Sequence, residues 1–422
     1  MPTAQQGDVR DVEEIRAAIE TFVGNARQPA LYEPGEDLFP LAADNFSLEM
    51  RGSRLTIEAW DRTRNFSRRI LSIERADRAR MEIVVERFAR REGRLYLVDL
   101  GRPAGADAGR RSARLVFRER FRLFLRRQFP EWNLAELSAE ANLACSLSPA
   151  FPRAFLKHGQ HGWAALACPP GGDAAAALSF GLIWLTHLRA REKRVTLEGL
   201  ALYVPAGRER AVAPRLLCLA PGAARFELFT YTEEDYVALA DPRDYGNLDT
   251  RLEPWRRSEP HGAVESLPPE AWLESRVRAE IETIDASLLS EPVYGQTPVI
   301  AGGERGIIDL LAVDHSGRLA VVELKASADL HLPLQALNYW IHVKWHLGRG
   351  EFTAAGYFPG IELRKEPPRL LLVSPSLEFH STTEAILSYF PASIEVERIG
   401  LGVEWRQGLR VMFRLLGAER PR

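Results

Sequence analysis

Apolar and polar side chains alternate over residues 54–60 (RLTIEAW), and the same two-residue period runs through 46–50, 81–88 and 94–100. A period of two marks strands with one buried face. Arg51-Gly52-Ser53 joins the first pair of runs and Arg91-Glu92-Gly93 the second, so each pair predicts a hairpin. Over 112–129 the period lengthens, and Leu115, Phe121 and Leu125 take helical spacing on a basic background. The stretch 101–109, with Pro103 and three glycines, reads as a linker.

Farther along, 163–167, 200–204 and 215–219 read as strands and 174–190 as a helix. Prolines, turn residues and charges make 241–269 a second linker. Pro268 and Pro269 suit a helix start, and Leu273, Val277, Ile281, Ile284 and Leu288 keep an amphipathic spacing behind them. Two apolar runs, a helix over 332–347, and strands near 369–374 and 394–403 follow. Strand, helix, strand in that order predicts α/β layers. The expected fold class is α/β: a strand-rich, Arg-rich N-terminal domain (1–110), an α/β middle region (111–260), and a C-terminal mixed sheet flanked by helices (268–422). The run RLLCL at 215–219 echoes RLLLVS at 369–374, so the middle region reads either as a degenerate internal copy or as similar wiring by chance.

Composition narrows the class. The chain has 422 residues, 46% hydrophobic and 27% charged, as soluble globular proteins do. No apolar run reaches the roughly 18 residues of a membrane span, and the polar start MPTAQQGDVRDVEEIR lacks the apolar core of a secretion signal. Cys145, Cys168 and Cys218 lack metal-ligand spacing and read as reduced thiols, which predicts a cytoplasmic protein. The net charge of −2 hides an asymmetry: residues 51–127 hold 22 Arg, no Lys and 10 acidic residues, a balance of +12 against −14 elsewhere. Such a segment suits a polyanion, or else a set of solvated faces. Only five lysines stand against 50 arginines, so a lysine inside an apolar run is informative.

One such lysine ends the segment that carries chemistry. Residues 306–314 (GIIDLLAVD) and 318–325 (RLAVVELK) are apolar runs joined by His315-Ser316-Gly317, a hairpin pattern. If Asp314 faces Arg318, Asp309 faces Glu323 on one side of the hairpin, and Lys325 follows Glu323 by one strand period. Two facing carboxylates among apolar neighbours need a cation or a shared proton. Oxygen ligands favour Mg²⁺ or Mn²⁺, and Lys325 is placed to orient or deprotonate water and to offset charge on phosphorus. The plainer alternative is a buried ion pair between Lys325 and one carboxylate.

Asp309 followed by Glu323-Leu324-Lys325 resembles the PD-(D/E)xK, or restriction-endonuclease-like, nuclease superfamily. Gln335 and Tyr339 look like the Q-x-x-x-Y helix motif of its RecB-type members, and Glu274 lies on the preceding helix where many members carry another acid. An N-terminal DNA-binding domain before such a domain is similar to NucS-like nucleases. The likeness covers roughly 268–375; Ile308 stands where many members have proline. It implies an Mg²⁺-dependent (or Mn²⁺-dependent) deoxyribonuclease of repair, recombination or defence. Asp309, Glu323 and the Leu324 carbonyl would hold metal, Lys325 would serve the water, and Gln335 and Tyr339 would brace the site or the DNA. Glu270 and Glu280 are the other candidates for the role of Glu274. His342 and His346 extend the Gln335–Tyr339 face and read as polar structural groups. A binding or assembly protein that kept this fold without turnover, and a phosphohydrolase of small substrates, are the competing functions. The expected partner is DNA, not a membrane, and a homodimer is open because enzymes that cut both strands often pair two such domains.

Overall fold

Three sheets organise the chain, a mixed α/β protein. The computed structural model describes residues 5–34, 36, 38–52, 54–61, 65–87, 91–248, 250–254, 268–301 and 304–419. They fall into two units, Met1–Gln128 and Phe129–Arg422.

The first unit runs α1 (Gln5–Asn25), β1 (Pro29–Tyr32), β2 (Phe39–Pro40), β3 (Phe46–Arg51), β4 (Arg54–Trp60), β5 (Asn65–Ala76), β6 (Arg80–Arg87), β7 (Arg91–Asp99) and α2 (Pro103–Gln128). Its sheet, ordered β2-β1-β7-β6-β5-β4-β3, is antiparallel throughout. The alternating residues Leu55, Ile57 and Ala59 point into a core with Ile83, Val85, Leu95 and Leu97, and Ile19 of α1 joins them. Arg51 pairs with Arg54, so the first expected hairpin forms; Ser53 in its turn lies outside the described residues. The second is displaced: Arg91 and Gly93 belong to β7, Gly93 pairing with Val85, and the connection 88–90 lies outside the described residues.

The stretch 101–109 is not a linker. Helix α2 starts at Pro103 and runs through the boundary expected at 110. Its glycines serve close packing instead. A Cβ on Gly105 would fall 2.0 Å from the Asp99 carbonyl oxygen, and one on Gly109 2.7 Å from Leu100. Asp99, fully buried, ties this corner by accepting from the amides of Arg27, Gln28 and Gly101 and from Arg102 Nε, at 3.0–3.1 Å. Burial pushes its pKa up, but these donors outweigh burial and hold it below the ordinary carboxylate value. Several arginines behind the local surplus are likewise tied down, among them Arg68 to Glu33, Arg69 to Glu86 and Arg94 to Glu74.

The second unit contains two α/β halves. The first half runs β8 (Asn133–Ser138), β9 (Arg153–His158), β10 (His161–Ala167), α3 (Ala174–Arg191), β11 (Thr196–Pro205), α4 (Ala213–Leu217), β12 (Arg225–Tyr231) and β13 (Val237–Ala240). After β14 (Thr250–Leu252), α5 (Pro269–Ala279) and α6 (Ile281–Ile284), the second half runs β15 (Tyr294–Ala301), β16 (Glu304–Val313), β17 (Leu319–Leu324), α7 (Leu332–Gly348), α8 (Glu351–Ala354), β18 (Arg369–Pro375), α9 (Thr383–Leu387), β19 (Val396–Leu401) and β20 (Val411–Leu416). The sheets are wired alike. Strands β8, β9 and β10 are antiparallel neighbours, β10-β11-β12 are parallel, and β13 returns antiparallel. Strands β15 to β20 repeat those five pairings in order, with β14 added on the edge beside β15.

Residues 215–219, expected as the strand matching 369–374, lie instead on and just after the short helix α4. An apolar run of five cannot by itself distinguish strand from buried helix. The strand that matches β18 is β11. The helices pack reciprocally: α3 against α9, and α4 against α7. One continuous apolar core, with Leu178, Leu182 and Leu185 of α3 and Leu337 and Val343 of α7, fills the space between the halves. The division expected near 260 therefore separates no independent core. Part of the expected linker 241–269 is also ordered, since β14 pairs with β15; residues 255–267 lie outside the described residues. On the far face of the C-terminal sheet, Leu273 and Val277 of α5 cover Leu310, Val322 and Leu371. Covered on both faces, β17 is buried at every residue, which explains its unbroken apolar sequence.

Candidate active site

The hairpin register is the expected one: Leu310 faces Val322, Ala312 faces Ala320, and the Asp314 amide donates to the Arg318 carbonyl. The ladder stops at Leu310–Val322, one step before Asp309 and Glu323. Beyond that point β16 stays with β15 and parts from β17. The Asp309 carboxylate takes the place of the missing main-chain partner by accepting from the Leu324 amide at 2.8 Å. Strand β17 holds its other neighbour, with the Lys325 amide donating to the Val373 carbonyl at 3.1 Å.

The opened corner gathers charge. Glu323 has no exposed surface, and neither carboxylate oxygen has a hydrogen-bond partner. Lys325 Nζ stands 3.9 Å from Glu323 Oε1. Burial, then the neighbouring Asp309, pushes the Glu323 pKa well above the ordinary value. Asp309 is also raised, chiefly by burial, against the pull of the Leu324 amide and Lys325. Burial works against the Lys325 ammonium, but Glu323, Glu270 and Asp309 outweigh it and raise the pKa. These neighbours favour the ammonium form of Lys325.

Glu274 of α5 accepts from Gln296 Nε2 at 2.8 Å and feels Asp309; burial, with that neighbour, raises its pKa. Gly295 makes room for it, since a Cβ there would lie 2.4 Å from Glu274 Oε1. Gln296 holds a left-handed φ of 52° between the pairs Gly295–Leu310 and Thr297–Ile308, across from Asp309. On α7, Gln335 Nε2 lies 3.4 Å from the Tyr339 hydroxyl. Burial first, and then Glu323, raises the Tyr339 pKa, so this ring adjoins the carboxylates. The structure thus brings Asp309, Glu323, Lys325, Glu274, Gln335 and Tyr339 together. Glu280 does not join them; it pairs with Arg276 at 3.1 Å. His346 is a satisfied interior group, 2.5 Å from Glu351 and 3.2 Å from Thr250.

Three further neighbours border the site: Glu270, an alternative to Glu274 in the sequence, and Asp329 and Gln296, which no sequence motif marks. The fields of Glu270 and Asp329 both reach Glu323 and Lys325. Glu270 was legible as the residue one helical turn before Glu274. Asp329 sits in the β17–α7 connection, and Gln296 on a strand that the apolar pattern did not reveal.

Among the described residues, no three His, Cys, Asp or Glu side chains converge as a ready metal cage. The available donors are two carboxylates, one with both oxygens unpartnered, plus main-chain carbonyls. That set fits a hard divalent cation that keeps waters and takes a substrate oxygen. It does not suit zinc.

The middle half occupies the same positions with different chemistry. The Cys168 amide donates to the Tyr203 carbonyl at 2.8 Å as the Lys325 amide does to Val373. With Ala167–Tyr203 matching Leu324–Val373, Leu166 falls where Glu323 stands. Arg153, paired with Leu166, falls where Asp309 stands.

No family model and no curated protein matches the chain. Among the described residues, no helix is long and apolar enough to cross a membrane.

Proposed function

We propose that this chain is a metal-dependent nuclease of the PD-(D/E)xK kind that hydrolyses phosphodiester bonds in DNA. One observation carries the reading: two carboxylates, one of them fully buried with unpartnered oxygens, stand beside a charged lysine where two strands part. Without a cation this arrangement is costly, and a structural ion pair would need only one of the two acids. Asp309, Glu323 and the Leu324 carbonyl would hold Mg²⁺ or Mn²⁺. Such an ion supplies Lewis acidity toward a phosphoryl oxygen and acidifies bound water. Lys325 would orient the attacking water and offset charge at phosphorus. Glu274, held by Gln296, would bind outer water, while Gln335 and Tyr339 would support the carboxylate face from α7. The arginine surplus of 51–127 would add attraction for the polyanion.

Plasmid and single-stranded DNA incubated with Mg²⁺, Mn²⁺ or EDTA test this reading. Wild type should cut with either metal and not in EDTA, and Lys325→Ala should not cut. Tight binding by wild type without cutting under either metal would leave a nucleic-acid-binding protein of nuclease fold.

A further inference from the structure

Between the two halves lies a cavity of about 600 Å³, lined by the start of α3, the segment 207–215 and the first turns of α7. Gly306, Gln335 and Tyr339 form one side, so the cavity reaches the α7 residues of the candidate active site. Its opposite side belongs to the middle half and carries Arg208, Arg210 and Arg215. Among the described lining residues the one acid is Asp173, whose Oδ1 accepts from the Ala175 and Ala176 amides of α3 at 2.8 and 3.2 Å. Arg215 is braced by donating to the Leu334 carbonyl at 3.2 Å. His342 also lines the cavity; it is 3% exposed, and its Nδ1 has no hydrogen-bond partner. Arg208, Arg210 and Arg215 against the single carboxylate of Asp173, with an unpartnered buried imidazole nitrogen, describe a place for an anion with hydrogen-bonding edges.

We propose that this cavity binds the phosphodiester backbone of the nucleotide flanking the scissile bond. The middle half then has a task although it lacks the acidic pair: it supplies a cationic wall across the cavity from Gln335 and Tyr339. Arginines on this wall would add attraction for a polyanion to that of the metal and of Lys325. The proposal rests on the nuclease reading of Asp309, Glu323 and Lys325.

The test measures fluorescence anisotropy of a labelled oligodeoxynucleotide in EDTA, followed by cleavage in Mg²⁺. The proteins are wild type, Arg208→Glu/Arg210→Glu, Arg208→Lys/Arg210→Lys, and the exposed Arg410→Glu outside the cavity. Thermal melting establishes that each is folded. The double reversal should weaken binding about tenfold or more and flatten the salt dependence by about two phosphate contacts. The lysine pair should retain most of the affinity, since lysine still meets phosphate as a point charge, and Arg410→Glu should bind like wild type. Double-reversal binding within twofold of wild type overturns the proposal, as does wild type that does not bind DNA. If wild type binds without cutting while the reversal loses binding, the nuclease reading falls and takes the scissile-bond assignment with it, and the cavity is left as a site for the DNA backbone alone. If wild type cuts and the reversal binds and cuts equally well, the cavity falls and the nuclease reading stands.

Discussion

The two halves of the second unit share a wiring diagram and differ in what sits at the parting strands. In the C-terminal half those positions hold Asp309, Glu323 and Lys325. In the middle half they hold Arg153, Leu166 and Cys168. The middle ladder continues through the Arg153–Leu166 pair, whereas the C-terminal one stops before Asp309. One half closes its ladder through the Arg153–Leu166 pair; the other leaves it open around Glu323, whose carboxylate has no hydrogen-bond partner. Fold and packing therefore do not require the acids, and the acids carry a cost that function must explain.

The largest expected effect breaks the comparison at the level of chemistry. Asp309→Asn or Glu323→Gln should lower DNA cleavage by about 10²–10⁴-fold, the range for loss of a group acting at the reacting centre. Leu166→Met, at the matching place, should stay within about twofold. Initial rates on plasmid with Mg²⁺ check both. Equal losses in the two halves would show that the positions matter for folding alone.

The next effect is on stability and has opposite signs in the two halves. Leu166 is fully buried among apolar side chains, so Leu166→Glu must desolvate a new carboxylate there, partly offset by the facing Arg153, and should cost about 1–3 kcal/mol. Glu323→Leu removes a buried acid that has no hydrogen-bond partner, while Asp309 remains to face Lys325, and should stabilise the metal-free protein by about 1–2 kcal/mol. Urea unfolding in EDTA measures both. Destabilisation by Glu323→Leu would mean that Lys325 and Glu323 form a net-favourable ion pair.

The hairpin register, Lys325 and the α7 motif were legible because strand period, turn and helix spacing fix which side chains share a face. Other features depend on distance in three dimensions. Arg215 and Leu216 look like strand residues, yet they fill the seam against α7 as a helix. Gly105 looks like linker flexibility, yet it admits a helix against the Asp99 carbonyl. The likeness of the halves was visible as an echo but tied to the wrong segment, because apolar strands carry little identity beyond their period. Asp329 reaches the site only through chain folding.

A smaller, pH-dependent effect sharpens the contrast. The folded-state pKa values of Asp309 and Glu323 are raised above those of unfolded carboxylates, so the folded metal-free protein holds protons more tightly. Their contribution is fully present below about pH 4 and is lost as pH rises through the raised folded values. Relative to Asp309→Asn/Glu323→Gln, wild type in EDTA should lose stability over that window, and Mg²⁺ should restore it by favouring the ionised pair. Unfolding curves from pH 4.5 to 8 test this. A flat difference between the proteins would remove the argument that the pair awaits a cation.

The smallest effect concerns Cys168 and Lys325, which hold equivalent places. Burial pushes the Cys168 thiol up to about 12, while surrounding carboxylates keep Lys325 charged despite burial. The same backbone position thus favours a neutral group in one half and a cation in the other, and the facing residues make the difference. In the folded protein Cys168 should resist a thiol-specific disulfide reagent at pH 8, since the thiolate is the reactive form and the sulfur is enclosed. Cys168→Ala should alter cleavage by less than about twofold and cost about 1 kcal/mol for the lost sulfur contacts. Rapid labelling of Cys168 in native protein, followed by mass spectrometry of its peptide, would show that the middle half opens there as the C-terminal half does.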